Sequence, residues 1–536
     1  MKELANQLPN SSAYPLLEPL RAPVFRALWI ATIASNLGTS MQDVGQSWLM
    51  VLLTKSPIIV ALVATAGSLP VVLLALPAGA LADLTDRRKL LLVTQIWMMI
   101  AACAMGVLTF AGIMTPWLLL LLTFTLGLGA ALNSPAWQAI VPELVHRDEL
   151  PEAVTLSSVA FNVSRAVGPA IAGFIVAAAG SGAVFLLNAV SFLGVIVVIY
   201  RWHRGGEKQS TPPEHVWGAM QAGIRYVRHA PDVQAVLLRT GVFIICASAL
   251  WAMLPLQARL TLSLGSLGYG VLLGCLGTGA LMGAGVLSRA RARMSNDLLV
   301  VAGSVLFAVS TFILAHSRVV SVTAAAMLVG GIGWIACMSS FNTAAQAVAP
   351  PWARGRVLAL FTLVLLGGLA VGSAVWGVVA SRLNVRYALD IAAAGLLIGL
   401  VVRFRYRLIR TEDLTLTPWV HWPEPISIVE PEPDRGPVLI ALEFRIDSNR
   451  AKEFRHAMRE LGRIRRRDGA FRWGLYSDPA HPARFVETFV VESWGEHLRQ
   501  HTRITEADRK IEERALSFHL DQGLPQTTHL IAESVS

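Results

Sequence analysis

Apolar residues fill windows of about 20 positions, the length needed to cross a hydrocarbon layer as a helix. Twelve such windows follow one another near 25–53, 57–81, 90–112, 117–138, 157–179, 183–201, 236–259, 267–288, 298–315, 320–345, 357–381 and 385–402. The connections are mostly short, as antiparallel neighbours require. The longest, from Trp202 to Arg239, divides the windows six and six. It begins polar, with Gly205, Gly206, Pro212 and Pro213. It then places Trp217, Met220, Ile224 and Val227 at helical spacing, which predicts an amphipathic helix over 216–227 lying on a membrane surface. After Val402 the pattern changes. Five prolines between 403 and 436 predict an extended linker.

Beyond the linker the periodicity is that of a small soluble unit. Residues 438–446 alternate like a strand, and Phe454, Met458, Leu461 and Ile464 have helical spacing. Two more strands are expected at 471–476 and 484–491, with a turn at Asp478-Pro479 and a closing helix over about 505–518. The β-α-β-β-α order fits a ferredoxin-like sandwich. The fold class expected is therefore an all-α polytopic membrane protein of twelve transmembrane helices in two six-helix bundles, with a small C-terminal α+β ferredoxin-like domain. The divisions are a 1–24 N-terminal segment, bundles at 25–201 and 236–402, a loop at 202–235, a linker at 403–436 and a soluble unit at 437–536.

Composition excludes an ordinary soluble chain: hydrophobic residues are 54%, charged residues 15%, and mean hydropathy is +0.55. The net charge of +10 is read as loop cations, not as a nucleic-acid surface. Arg87, Arg88, Lys89, Arg147, Arg201 and most later arginines up to Arg410 fall on one side of the membrane. Lys55, Arg259, Arg318, Arg382 and Arg386 fall on the other. The bias places both termini in the cytoplasm, the first helix acting as an uncleaved anchor. The cysteines, Cys103, Cys246, Cys275 and Cys337, sit inside apolar runs without pairing or metal spacing.

Polar residues within a span are costly in lipid and mark candidate function. Asp43 is the only acid well inside the first six windows, ~27 Å along the first helix. Asn36 and Asp43 share one helical face, and Gln42 and Gln46 another. The stripe suits either a water-filled cavity, with Asp43 binding a proton or a cationic part of a substrate, or a ladder of helix-packing hydrogen bonds. Arg165 lies ~13 Å into the fifth helix and needs an anionic partner, either Asp43 or a substrate anion, unless it snorkels to the surface. Asn133, Gln138, Asn342 and Gln346 either line the same cavity or hold helices together. Asn133-x-x-Ala136-x-Gln138-Ala139 echoes Asn342-x-x-Ala345-Gln346-Ala347, and Gly168 to Gly173 has the spacing of Gly372 to Gly377. Such internal repetition suggests parallel duplication around a cavity. No Walker sequence is present.

Between the second and third windows runs Gly79-Ala-Leu-Ala-Asp83-Leu-Thr-Asp86-Arg87-Arg88-Lys89. Small residues there allow close packing of helix ends, and Asp83 faces three cations. The run resembles the signature loop of the major facilitator superfamily, Gly-x-Leu-Ala-Asp-x-x-Gly-Arg-Arg, with Asp86 replacing the usual glycine. Gly168, Pro169 and Gly173 resemble the helix 5 signature of that superfamily's antiporters, with Ala172 where glycine is common. With Asn133 to Leu144 and Asn162 to Gly173, the membrane part resembles the exporter branch near the enterobactin exporter and the group called transmembrane secretion effectors. The resemblance implies alternating access and proton-coupled export of a small amphipathic molecule, a siderophore or drug, across the inner membrane of a bacterial cell. Gly79, Asp83, Arg87, Arg88, Gly168, Pro169 and Gly173 would form the conformational gate. The partners implied are that substrate, protons and the bilayer, with no cofactor. Two alternatives stand: import on the same fold, and a membrane-tethered cofactor-free oxygenase acting through the soluble unit.

That unit resembles the dimeric α+β barrels related to antibiotic-biosynthesis monooxygenases, which implies a homodimer through this part. His497 and His501 are four apart, but no Glu-x-x-His frame surrounds them, so no metal site is expected. Arg463-Ile-Arg-Arg-Arg467 reads as a solvated basic face, and Phe471, Trp473 and Tyr476 as core or a dimer face.

Overall fold

Prolines and caps decide where the long helices begin. In the computed structural model, which describes residues 15–202, 216–408, 431–521 and 523–533, proline opens α1 (Pro23–Leu53), α2 (Pro57–Leu84), α4 (Pro116–Leu144) and α5 (Leu150–Ala179). A first-turn proline lacks an N–H that would have no intrahelical partner. Asp86 caps α3 (Arg87–Phe110), accepting from the Arg88 and Lys89 amides. Ser295 likewise caps α10 (Asn296–His316), and Asn384 caps α13 (Val385–Ile398). The remaining long helices are α6 (Ser181–Arg201), α8 (Pro231–Leu260), α9 (Ser266–Arg291), α11 (Val320–Ala347) and α12 (Arg354–Arg382), with the shorter α7 at Val216–His229.

Among the described residues eleven helices are long and apolar enough to cross a membrane. The helix outside that set is α1, 31 residues long, whose polar stripe from Asn36 to Gln46 lowers its hydropathy. Contacts divide the chain into two units. One holds 1–212, 239–340 and 362–402; the other holds 213–238, 341–361 and 403–536. One end each of α8, α11 and α12 therefore belongs to the second unit.

In the first unit, α1 packs on α5 and α6, α3 on α4 and α6, and α2 on α4. The helices from the two halves of the chain approach each other backbone to backbone. A Cβ on Gly270 of α9 would lie 2.5 Å from the Pro169 carbonyl oxygen of α5, and one on Gly173 would lie 2.8 Å from that of Ser266. Gly377 of α12 meets Ala61 and Ile58 of α2, and Thr65 Oγ1 donates to the Ala370 carbonyl at 2.8 Å. Arg259 of α8 donates to the Val51 carbonyl at the end of α1. Given the alternation of helix direction, these approaches lie toward the end remote from the basic loops. At the opposite ends of α2 and α9, a Cβ on Gly79 or Gly285 would meet nothing within 4 Å.

The second unit contains an antiparallel sheet of β1 (Val438–Arg445), β2 (Arg472–Ser477), β3 (Arg484–Val491) and β4 (Gln526–Ile531), in the order β2-β3-β1-β4. Strict alternation along β1 and β3 buries Val438, Ile440, Leu442, Phe444, Phe485 and Phe489 on one face. That face is met by Phe454, Met458 and Leu461 of α14 (Ala451–Asp468). The closing helix expected over 505–518 is α16 (Glu506–Leu516); an additional helix, α15 (Trp494–Arg503), precedes it and β4 adds a strand, giving β-α-β-β-α-α-β, the β-α-β-β-α-β plan with its second helix doubled. The basic run is only partly a solvated face: Arg463 is exposed, but two of its neighbours are paired. Arg465 is buried and pairs with Glu512 at 2.8 Å and Glu487 at 3.6 Å, while Arg467 pairs with Asp468 and Asp508 at 2.7 Å each. Acids distant in sequence supply the partners, which periodicity along α14 alone does not reveal.

Candidate functional site

The polar stripe of α1 resolves into two faces with different surroundings. Asp43 shares its face with Ser40 and Ser47, at offsets of three and four residues. Ser40 touches α5, where a Cβ on Gly168 would fall 2.7 Å from its Oγ. Ser47 is hydrogen-bonded to Tyr269 of α9, and Trp48 stacks on the same ring with centroids 5.7 Å apart. Asp43 lies between these contacts and is solvent-accessible. The Arg165 guanidinium of α5 acts on it electrostatically and also lies over the Phe161 ring, 5.6 Å from its centroid. Arg165 too is accessible. The accessible carboxylate and guanidinium thus lie on neighbouring helices, with a buried tyrosine from the other half of the chain beside the same face of α1. Of the two anions open to Arg165 on sequence grounds, Asp43 is therefore at hand. Tyr269 and Ser47 carried no sequence signal, because an in-span tyrosine or serine usually has a packing role.

The other candidates are placed differently. Gln42 and Gln46 are buried against α3 and α6: both amides approach the Met105 sulfur, at 3.5 and 3.8 Å, and Asn188 donates to Gln42. Asn133 accepts from Thr94 at 3.0 Å and Gln95 at 3.3 Å, tying α4 to α3. These three join helices. Asn36 is half-buried, whereas Gln138 and Gln346 are exposed and bond only one turn back, to Ser134 and Asn342. The matching bonds set Gln138 against Gln346 and Ser134, not Asn133, against Asn342.

Of the loop residues, Arg88 closes the end of α6, donating from Nε to the Ile199 carbonyl at 3.1 Å and from its terminal nitrogen to that of Tyr200. A cation on the carbonyl end of a helix is favourable on both hydrogen-bond and dipole grounds. Asp86, which departs from the signature, serves as the α3 cap. Arg87 has partners, and the Asp83 side chain lies outside the described residues. A Cβ on Gly79 would meet nothing within 4 Å. Gly168, Pro169 and Gly173 do mediate close approach, to α1 and α9.

In the second unit His497 and His501 bring their Nε2 atoms to 3.4 Å, and His529 stacks near His497 with centroids 4.8 Å apart. Among the described residues no group of three or more His, Cys, Asp or Glu is arranged to hold a metal. Burial, with the mutual repulsion of the imidazoles, pushes His497 down to about 3 and His501 to about 4. Since both folded values lie below the ordinary 6.5, the unfolded chain takes up protons first as pH falls. Protection of β1 and β3 from amide exchange in the full chain should therefore decline from pH 6.5 to 5, and His497→Leu should flatten that decline. The carboxyls of Asp468 and Glu487, raised by burial, act in the opposite sense where they titrate. A shallow cavity of about 630 Å³ on the open sheet face is lined by Leu439, Arg466, Phe471, Trp473, Tyr476 and Val490 among others.

The family described as transmembrane secretion effector matches residues 14–536, the soluble unit included. The multidrug efflux pump Tap of Mycolicibacterium fortuitum is 25% identical over 74% of this chain and 99% of its own length. The enterobactin exporter of Shigella boydii is 27% identical over 70% of this chain and 90% of its own. The staphyloferrin A transporter of Staphylococcus aureus is 29% identical, but the match spans only 42% of its length. Among solved structures, an inward-facing bacterial homologue of the lysosomal transporter Spinster aligns with a TM-score of 0.57 at 13% identity, over 72% of this chain and 95% of that one. An inward-facing bacterial homologue of ferroportin aligns at 0.57 and 16%, over 72% and 98%. With matched helices, matched family pattern and transporters throughout these comparisons, the chain belongs to the transmembrane secretion effector family of the major facilitator superfamily: it is a multi-pass membrane transporter and not an enzyme.

Proposed function

We propose that the protein is a proton-coupled exporter of a small amphipathic molecule, built on twelve spans with both termini in the cytoplasm. The observation that carries this reading is the placement of Asp43 on α1 and Arg165 on α5, two accessible opposite charges within electrostatic reach of each other, with Tyr269 of the second half beside the same face of α1. In a low-dielectric wall such a pair is held only if each charge keeps its partner, so a proton or a cationic substrate arriving at Asp43 frees Arg165. Exchange of proton for substrate at one carboxylate is the minimal chemistry an antiporter needs. Alternating access on this reading requires the close contacts of α5 with α9 and of α12 with α2, made by Gly173, Gly270 and Gly377, to part in one of the two states.

Export as the direction draws on the relatives, whose names are those of efflux pumps and a siderophore exporter. The substrate class follows the same names: a drug or a siderophore. Cells with and without the protein, loaded with several dyes and catecholate siderophores, provide the test. Lower accumulation with the protein, abolished when the proton gradient is collapsed, is the expected result. Higher accumulation would establish uptake and overturn the reading. Lower accumulation that survives collapse of the gradient would overturn proton coupling while keeping export.

A further inference from the structure

The second unit joins elements far apart in the chain, and one acid lies at their meeting point. Glu496, in the first turn of α15, is almost wholly buried, its side chain 8% exposed. It accepts from Arg503 at 2.6 and 3.2 Å, from Arg499 at 3.0 Å, and from Arg225 of α7 at 3.0 Å. Burial pushes its carboxyl up, but the bonds and charge of Arg503, with Arg499 and Arg225, outweigh this and hold it below the usual range. Arg503, itself buried, lies 4.7 Å over the ring of Trp352 in the turn between α11 and α12. Trp352 meets Tyr226 of α7 edge-on with centroids 5.2 Å apart, and the Tyr226 hydroxyl approaches the Val348 carbonyl at 3.4 Å. From the other side the Arg467 guanidinium reaches the Tyr226 ring. Gly223 admits the Arg356 stem, its Cβ position 3.3 Å away. A tethered passenger would not need this: a solvated linker costs nothing, whereas burying one carboxylate among three guanidiniums is favourable only when the whole cluster is assembled.

We propose that the soluble unit is a docked control module of the transporter, latched by Glu496 to α7 through Arg225 and, through Arg503, to Trp352 in the turn between α11 and α12. Both gripped segments are continuous with membrane helices, α7 leading into α8 and the turn joining α11 to α12. Holding them fixes the ends of helices that must move when the halves rearrange. The control clause rests on the transport reading; the latch does not.

The test uses the full chain in lipid nanodiscs and proteoliposomes, with hydrogen–deuterium exchange and dye flux as separate readouts. In Glu496→Gln, peptides covering α7 and 348–356 should exchange about tenfold faster, the equivalent of losing one charge-assisted bond, while β1 and β3 keep their protection. Trp352→Ala, which leaves the core of the soluble unit untouched, should release the same peptides. Arg225→Lys should retain the latch. Dye flux should change at least threefold in the two releasing variants. Unchanged exchange of α7 in both would overturn the latch. Faster exchange with unchanged flux would overturn control, leaving the contact a structural one. A wild-type protein that moves no probe would overturn the transport reading and the control clause together, while the exchange readout still decides the latch.

Discussion

Asp43→Asn is expected to reduce gradient-driven flux by ten- to a hundredfold while leaving the protein folded and in the membrane. The substitution preserves size and removes the charge. Arg165 then loses the nearby negative charge that acts on it, and on the proposed reading the proton-binding group is removed. Breaking a fully buried pair costs about 3–5 kcal/mol; both groups here are solvent-accessible, so a smaller penalty applies and the fold should survive. Counterflow of labelled substrate without a gradient separates the two roles. If Asp43 carries the proton, counterflow persists in the variant while uphill transport is lost. If uphill transport is retained, the coupling role is wrong. Tyr269→Phe, which keeps the stack on Trp48 and loses the bond to Ser47, should be far milder.

A second large effect is expected within one helix. In α9 a Cβ on Gly279 would lie 2.0 Å from the Leu328 carbonyl oxygen of α11, and across the same crossing one on Gly331 would lie 2.0 Å from that of Leu276. Neither obstacle is a flexible side chain; both are backbone. Gly279→Val must push two helices apart, and overpacking of this kind costs about 1–3 kcal/mol, more where the backbone cannot yield. Thermal unfolding in detergent should show a marked loss of stability and a fall in yield. Gly285→Val, two turns further along α9 where nothing lies within 4 Å, should behave as wild type. Equal behaviour of the two variants would show that the crossing is looser than described.

These two glycines mark where sequence reading stops. Gly277, Gly279, Gly283 and Gly285 look alike as a small-residue run, yet Gly277 meets Ala166 of α5, Gly279 and Gly283 meet α11, and Gly285 meets nothing. Which neighbour a glycine faces depends on helix rotation and on the conformational state, neither of which a local pattern encodes. The same holds for the α1 stripe. The spacing separated Asp43 from Gln42 and Gln46, because 3.6 residues per turn determines faces. Only packing revealed that one face opens to Arg165 and Tyr269 while the other is consumed by Met105 and Asn188.

The sequence by itself determined the membrane class, the long helices and the strand and helix periods of the soluble unit. Those properties follow from local hydropathy and periodicity, which act on every residue irrespective of its distant neighbours. The motif residues Arg87 and Arg88 were legible too, though not that Arg88 would seal the carbonyl end of α6. Tertiary structure alone decided the partners of charge. Arg465 looked solvated until Glu487 and Glu512 were brought to it, and Glu496 had no visible significance until Arg225, 271 positions away in the chain, reached it. A charge in a folded chain is stabilised or stranded by what lies within a few ångströms, and chain separation places no limit on which residue that is.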